Sequence, residues 1–243
     1  MKKKFVVSLA TLLLSLSFLS AADAGTYTTK FPLAENPISE GGHWINGKTV
    51  GLAWIDVSTT PGLAFGCQSG SNGYDDSTAL LNGTWGPDQS VTATVHSINQ
   101  RGGNVYEEVE IRLRSSLSAH RCTGYEILFR CLKDSSSYVQ IVRWNGPLGS
   151  FTYLADQKGA QSGISDGDVV RATIVGNVIT AYINNVQVAQ ATDNTYSSGS
   201  PGMGFFLQGA AAVNSDFGFT GFTASDQADS LSPSPPKNRS ILP

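Results

Sequence analysis

Val105-Tyr-Glu-Glu-Val-Glu-Ile-Arg-Leu-Arg114 decides how the rest of the chain is read. From Tyr106 the stretch alternates. Tyr106, Glu108, Glu110, Arg112 and Arg114 share one face, and Glu107, Val109, Ile111 and Leu113 share the other. An apolar residue at every second position marks a strand with one face on a core. The polar face is unusual. Solvated sheet faces mix Thr, Ser, Lys and Gln, whereas here two Glu are followed by two Arg. Same-face neighbours lie about 6.5–7 Å apart, so such a row neutralises itself and still offers donors and acceptors to a ligand.

Similar signals run outward from this stretch. Gln89 to His96 sets Val91, Ala93 and Val95 against Ser90, Thr92, Thr94 and His96. After the opening strand come Gly124 to Leu132, Ser137 to Trp144 and Ser150 to Leu154, with a turn at Asn145 to Gly149. Short turns between successive strands predict a meander. Asp168 to Val175 and Val178 to Asn184 flank Gly176-Asn177, and Asn184-Asn185 leads into Val186 to Ala191. Both dipeptides suit tight hairpin turns with positive φ. Met203 to Gln208 and Asp216 to Thr223 read as the last strands. Gly25 to Lys48 reads as an edge strand and turn with Trp44 packing down, and Gly51 to Phe65 as one or two short strands. Gly66 to Pro87 reads as loop. The fold class expected for residues 25–225 is all-β: a two-sheet antiparallel jelly-roll sandwich.

The two ends differ from this body. Lys2 to Lys4, the apolar run Phe5 to Leu19, and Ala22-Asp23-Ala24 read as a secretory signal peptide cut before Gly25. The apolar run falls short of the ~20 residues that span a bilayer, so the chain reads as secreted or periplasmic and not membrane-spanning. Residues 226–243 hold four Pro and four Ser and read as a disordered tail. With a formal net charge of −3 and no basic run beyond the leader, nucleic acid is not an expected partner. An extended run of about 20 Å separates Cys122 from Cys131, against the ~7 Å a disulfide allows. Cys67 bonded to one of them, or three free thiols, both remain open.

The opening strand and its neighbours present a candidate carbohydrate-binding face: Tyr106, Glu108, Glu110, Arg112 and Arg114, then Glu126 and Arg130, then Tyr138, Gln140 and Trp144. Aromatic rings stack on sugar rings, while Glu, Gln and Arg meet hydroxyls. The plainer reading is a structural charge lattice in which Glu110, Arg130, Arg112 and Glu126 pair across strands. For an enzyme, Glu108, Glu110, His120 and Tyr138 are the candidate catalytic groups, with Arg112 expected to hold Glu110 ionised. His43, His96 and His120 lack zinc-ligand spacing, and no cofactor is expected. Asp75-Asp76 in a Gly/Ser loop reads either as part of a structural calcium site or as a solvated turn.

Gly124-Tyr-Glu-Ile-Leu-Phe, Tyr138-Val-Gln-Ile-Val-Arg, the hairpin from Gly167 to Asn184, Asp193 to Gly204 and the Phe-rich final strand together resemble the concanavalin A-like lectin/glucanase superfamily. The likeness is to laminin-G-like jelly rolls, including domains of the keto-disaccharide hydrolase type, and covers roughly Phe31 to Ala224. It implies two antiparallel sheets, a concave face and a carbohydrate or polysaccharide partner. The glucanases carry Glu-x-Asp-x-x-Glu along one strand. Here Glu108-Val-Glu110-Ile-Arg112-Leu113 keeps an acid at position three and has Leu113 at position six. The expected function is therefore a secreted glycan-binding module. A glycoside hydrolase or polysaccharide lyase is the alternative, and a structural or adhesive envelope protein a further one.

Overall fold

The structure, a computed structural model, describes residues 25–71 and 73–226. The leader and the tail beyond Asp226 lie outside the described residues. In chain order the strands are β1 (Thr26–Thr29), β2 (Trp44–Asn46), β3 (Ser58–Thr60), β4 (Leu63–Phe65), β5 (Ser77–Leu81), β6 (Gln89–Ser97), β7 (Tyr106–Ser118), β8 (Arg121–Arg130), β9 (Tyr138–Gly146), β10 (Phe151–Lys158), β11 (Val169–Val175), β12 (Val178–Ile183), β13 (Val186–Thr192), β14 (Ser200–Gln208) and β15 (Phe217–Ser225). They form two antiparallel sheets, so the expected all-β sandwich is present. The first sheet runs β13-β12-β11-β6-β15-β4-β3, with β1 also paired to β15; the second runs β10-β9-β8-β7-β14-β5-β2.

The alternation in the sequence places the core. Val109, Ile111 and Leu113 of β7 are wholly buried, as are Tyr125, Ile127 and Phe129 of β8 and Val91 of β6. Phe217, Phe219 and Phe222 of β15 join them between the sheets. The expected meander is β7-β8-β9-β10 in the second sheet. The β12–β13 turn places both Asn184 and Asn185 at positive φ, 50° and 65°. That is the conformation Asn tolerates and a tight hairpin turn requires.

Two differences bear on the site. Residues 66–87, expected as loop, contain β5. Its Ser-Thr-Ala-Leu-Leu is buried at every position and shows no polar–apolar alternation. Asp226, placed by sequence at the start of the tail, bonds through its backbone N–H to Gly25 O at 3.1 Å. All three cysteines are free thiols. Cys131 belongs to the core between the sheets, and Cys122 to a second cluster with Trp54 and Trp144.

Candidate functional site

Tyr106, Glu108 and Glu110 of β7, Glu126 of β8, and Tyr138, Gln140 and Trp144 of β9 line one cavity of about 440 Å³ on the outward side of the second sheet. Cross-strand register brings them together. Glu110 lies opposite Leu128, which faces Gln140, while Arg112 lies opposite Glu126, which faces Val142. Tyr74 and Asp76 enter from the loop before β5; Phe151, Tyr153 and Lys158 come from β10, and Phe206 and Gln208 from β14.

Arg112 organises the floor. Its Nη2 lies 3.0 Å from Asp76 Oδ2 and 2.5 Å from Glu110 Oε2, and its Nη1 lies 2.7 Å from Glu126 Oε2. Trp144 Nε1 donates to the same Glu126 oxygen at 2.5 Å. The guanidinium centre sits 5.1 Å from the Trp54 ring and 6.0 Å from the Trp144 ring. Trp54 arrives because the segment between β2 and β3 folds over this part of the sheet. Ile55 N–H bonds to Asp76 O, and His120 N–H to Gly51 O. Gly204, paired with Glu110 across the β7–β14 ladder, makes room: a Cβ there would lie 2.2 Å from Glu110 Oε2.

Three buried carboxyls thus face the Arg112 guanidinium with Glu108 close by, and burial dominates the protonation of Asp76, Glu108 and Glu110. Burial pushes Glu108 up to about 8 although Tyr138 Oη donates to it; Glu126 and Asp76 add to the rise. Asp76 is pushed up to about 7 by burial and then by Glu126, with Arg112 opposing. Glu110 rises well above its ordinary value through burial, Asp76 and Glu126. This corrects the expectation that Arg112 holds Glu110 ionised. One cation cannot offset desolvation and three neighbouring carboxyls.

The floor tests the calcium reading. Asp76, Glu110 and Glu126 each offer an oxygen within 4.8 Å of the others. Calcium wants six or more oxygens, and here the Arg112 head stands among the three carboxylates. The donor set as arranged does not fit a further cation. Asp76 is buried, so the pair Asp75-Asp76 is not a solvated turn either.

Several expected positions are corrected. Arg114 leaves the face. The β7–β8 register shifts between Leu113 and Ser116, Arg114 takes φ 45°, and its guanidinium reaches Pro87 O, Tyr196 O and Gly176 O. His120 sits in the β7–β8 turn, exposed, and does not line the cavity. Arg130 supports the wall from behind: it bonds Ser136 O and Val105 O and lies 4.7 Å from the Tyr106 ring and 5.5 Å from that of Tyr138. Arg130 does not pair with Glu110, and Arg112 does pair with Glu126, so the expected lattice is half present. Arg112 is fully buried and Trp144 is 3% exposed, so neither presents an open surface. The open aromatic surface belongs to Tyr74 and Tyr153, 50% and 55% exposed, on either side of Phe151. Sequence reasoning missed Tyr153 and Gly204 and read Asp76 only as a calcium or turn residue, not as part of the floor. The alternation Phe151-Thr-Tyr153 was a usable signal, whereas the other two depend on long-range packing.

No family model matches the chain, and no curated protein matches it in sequence. Solved structures do match in fold. The carbohydrate recognition domain of Emp46p in potassium-bound form aligns at TM-score 0.52 and 14% identity over 82% of this chain and 98% of that one. Its metal-free form gives the same score. The GlcNAcα1-4Gal-releasing endo-β-galactosidase of Clostridium perfringens aligns at 0.50 and 9% identity, over 88% of this chain and 66% of that one. The carbohydrate-binding module CBM66 of Bacillus subtilis aligns at 0.48 and 20% identity, over 68% and 92%. The chain shares with these proteins the fold alone, a two-sheet antiparallel jelly-roll sandwich, consistent with the concanavalin A-like resemblance. No described helix is long and apolar enough to cross a membrane.

Proposed function

We propose that the protein is exported and binds a glycan in the groove on the second sheet. The observation that carries this is the make-up of the groove: exposed aromatic rings along one side and buried carboxyls along the floor of a single cavity of about 440 Å³. Tyr74, Phe151 and Tyr153 offer apolar faces to a sugar ring. Gln140, Gln208 and the floor carboxyls meet hydroxyls, and a protonated carboxyl both donates and accepts. With the carboxyls of Glu108 and Glu110 raised toward their protonated form and Arg112 fully buried, the floor offers hydrogen bonds more than charge, which suits neutral sugars. The test is a glycan array on residues 25–243, followed by calorimetry with the glycans that bind. Binding confined to anionic glycans, or to none, overturns the reading.

One observation favours an enzyme as the second reading. Glu108 keeps its proton near neutral pH in the same cavity as Glu126, a combination that suits a general acid and a second carboxylate. Incubation with the bound glycan separates the two: new reducing ends, abolished by Glu108→Gln, establish hydrolysis, and an intact glycan leaves binding alone.

A further inference from the structure

The two ends of the described chain meet. β1 runs antiparallel to β15, with Thr26 opposite Ser225. Just beyond that ladder the Gly25 nitrogen donates to Asp226 Oδ1, and Asp226 N–H donates back to Gly25 O at 3.1 Å. The second carboxylate oxygen, Oδ2, accepts from Gly86 N–H at 2.6 Å. Trp85 closes the site, since a Cβ on Gly25 would come within 3.3 Å of its ring. Asp226 is therefore held from one side by a loop amide, with its other oxygen aimed at one nitrogen. That nitrogen follows the Ala22-Asp23-Ala24 site at which the leader is expected to be cut.

We propose that Asp226 is the receptor for the new α-ammonium group that cleavage after Ala24 creates. In the precursor the Gly25 nitrogen is a neutral amide with one N–H. Hydrolysis of the Ala24–Gly25 bond adds water across it, leaving a carboxylate on Ala24 and an amine on Gly25 that takes up a proton. Asp226 then faces a cation with three N–H donors, and a hydrogen bond from a neutral amide becomes a hydrogen-bonded ion pair. Maturation thereby locks β1 onto β15 and closes the edge of the first sheet. The glycine is part of the device, because a larger first residue would press on Trp85.

The inference rests on the leader reading, and the experiment separates the two. Two chains are prepared with defined starts: one beginning at Gly25 and one retaining Ala22-Asp23-Ala24 before it, both running to Pro243. The chain starting at Gly25 is expected to melt roughly 2–4 °C higher, the scale of a partly exposed charged pair in a domain of this size. Asp226→Asn should lower the melting point of the Gly25 chain and narrow the gap between the two. Equal melting points in the parent chains overturn the proposal, as does a gap that survives Asp226→Asn unchanged. The parent comparison needs no substitution, so it decides even where Asp226→Asn fails to fold. N-terminal sequencing of exported protein tests the leader separately: a start other than Gly25 sinks the cleavage reading whatever the melts show.

Discussion

The outward faces of the two sheets use the same backbone for different ends. On the first sheet, the face carries Thr92 and Thr94 of β6, Arg171 and Thr173 of β11, and Thr180 and Tyr182 of β12 in register. Its arginine, Arg171, lies 5.0 Å from the Tyr182 ring and 3.4 Å from Ser90 Oγ. On the second sheet, Arg112 sits in the same kind of position and holds three carboxylates, beneath a segment that covers it completely. Short hydroxyls on a strand face satisfy themselves locally and leave nothing open. Three carboxyls around one guanidinium form an unbalanced cluster, kept only where a covering wall and a cavity are built around it. The first face stabilises a sheet; the second trades stability for a chemically distinctive surface.

The largest expected effect breaks that contrast directly. Arg112→Met leaves three buried carboxyls without their cation and should cost about 3–5 kcal/mol near pH 8, as when one partner of a buried ion pair is removed. Arg171→Met on the other sheet removes the contact with the Tyr182 ring, worth about 0.5–1 kcal/mol, and should cost less than Arg112→Met. Denaturant unfolding of both variants checks this. Equal losses would mean that the Arg112 cluster is no more coupled than the arginine packed on Tyr182.

The second effect is on pH. Unfolded Asp and Glu titrate near pH 4, whereas folded Asp76 and Glu108 titrate at about 7 and 8, and Glu110 is raised as well. Between these limits the folded chain holds protons that the unfolded chain has released. Stability therefore falls as pH rises from about 4 to 8 and levels off above, by a few kcal/mol in total. Glu108→Gln should flatten the upper part of that slope. Melting curves that rise over this range would place the buried carboxyls in a different charge state. The third effect is steric. Gly204→Ala puts a Cβ into Glu110 and should cost about 1–3 kcal/mol, while Thr92→Ser on the first sheet should stay within about 0.5 kcal/mol.

Most of the fold was legible because both long hairpin systems alternate polar and apolar residues with a period of two, as Tyr106 to Leu113 and Asp168 to Ile183 show, even where both faces are buried. β5 was hidden because its Ser77-Thr-Ala-Leu-Leu81 places two polar residues and then three apolar ones in a row, with no alternation to read. The site was legible where residues follow one another along β7, β8 and β9. It failed at Arg114, where a register shift reverses the facing of one side chain, a change no residue pattern announces. It failed again at Arg112 and Trp144, which lie on the expected face but are roofed by Trp54, a residue more than fifty positions earlier. Asp76 was noticed as an acid but not as part of the floor, since only the closing of β5 against β14 brings it there.

The smallest effect sharpens the comparison most. If the groove holds a glycan, its affinity comes from open rings and not from the buried floor. Tyr153 is 55% exposed and touches Phe151 at a ring-centroid distance of 5.3 Å, so its removal leaves the core intact. Tyr153→Ala should leave the melting point unchanged within about 1 °C and weaken binding by about 0.5–1.5 kcal/mol, roughly threefold to tenfold. Tyr182→Ala on the first sheet is the control, its ring only 8% exposed, so the variant's affinity is read beside a thermal melt. It removes a ring that packs on an arginine in the same manner as the groove's own rings, yet should leave affinity untouched. Calorimetry on the two variants with one glycan from the array reads the difference. Loss of affinity in Tyr182→Ala alone would move the site to the other sheet. Equal loss in both would mean that the sugar meets the sandwich through general surface contact, and the division of labour between the faces would fall.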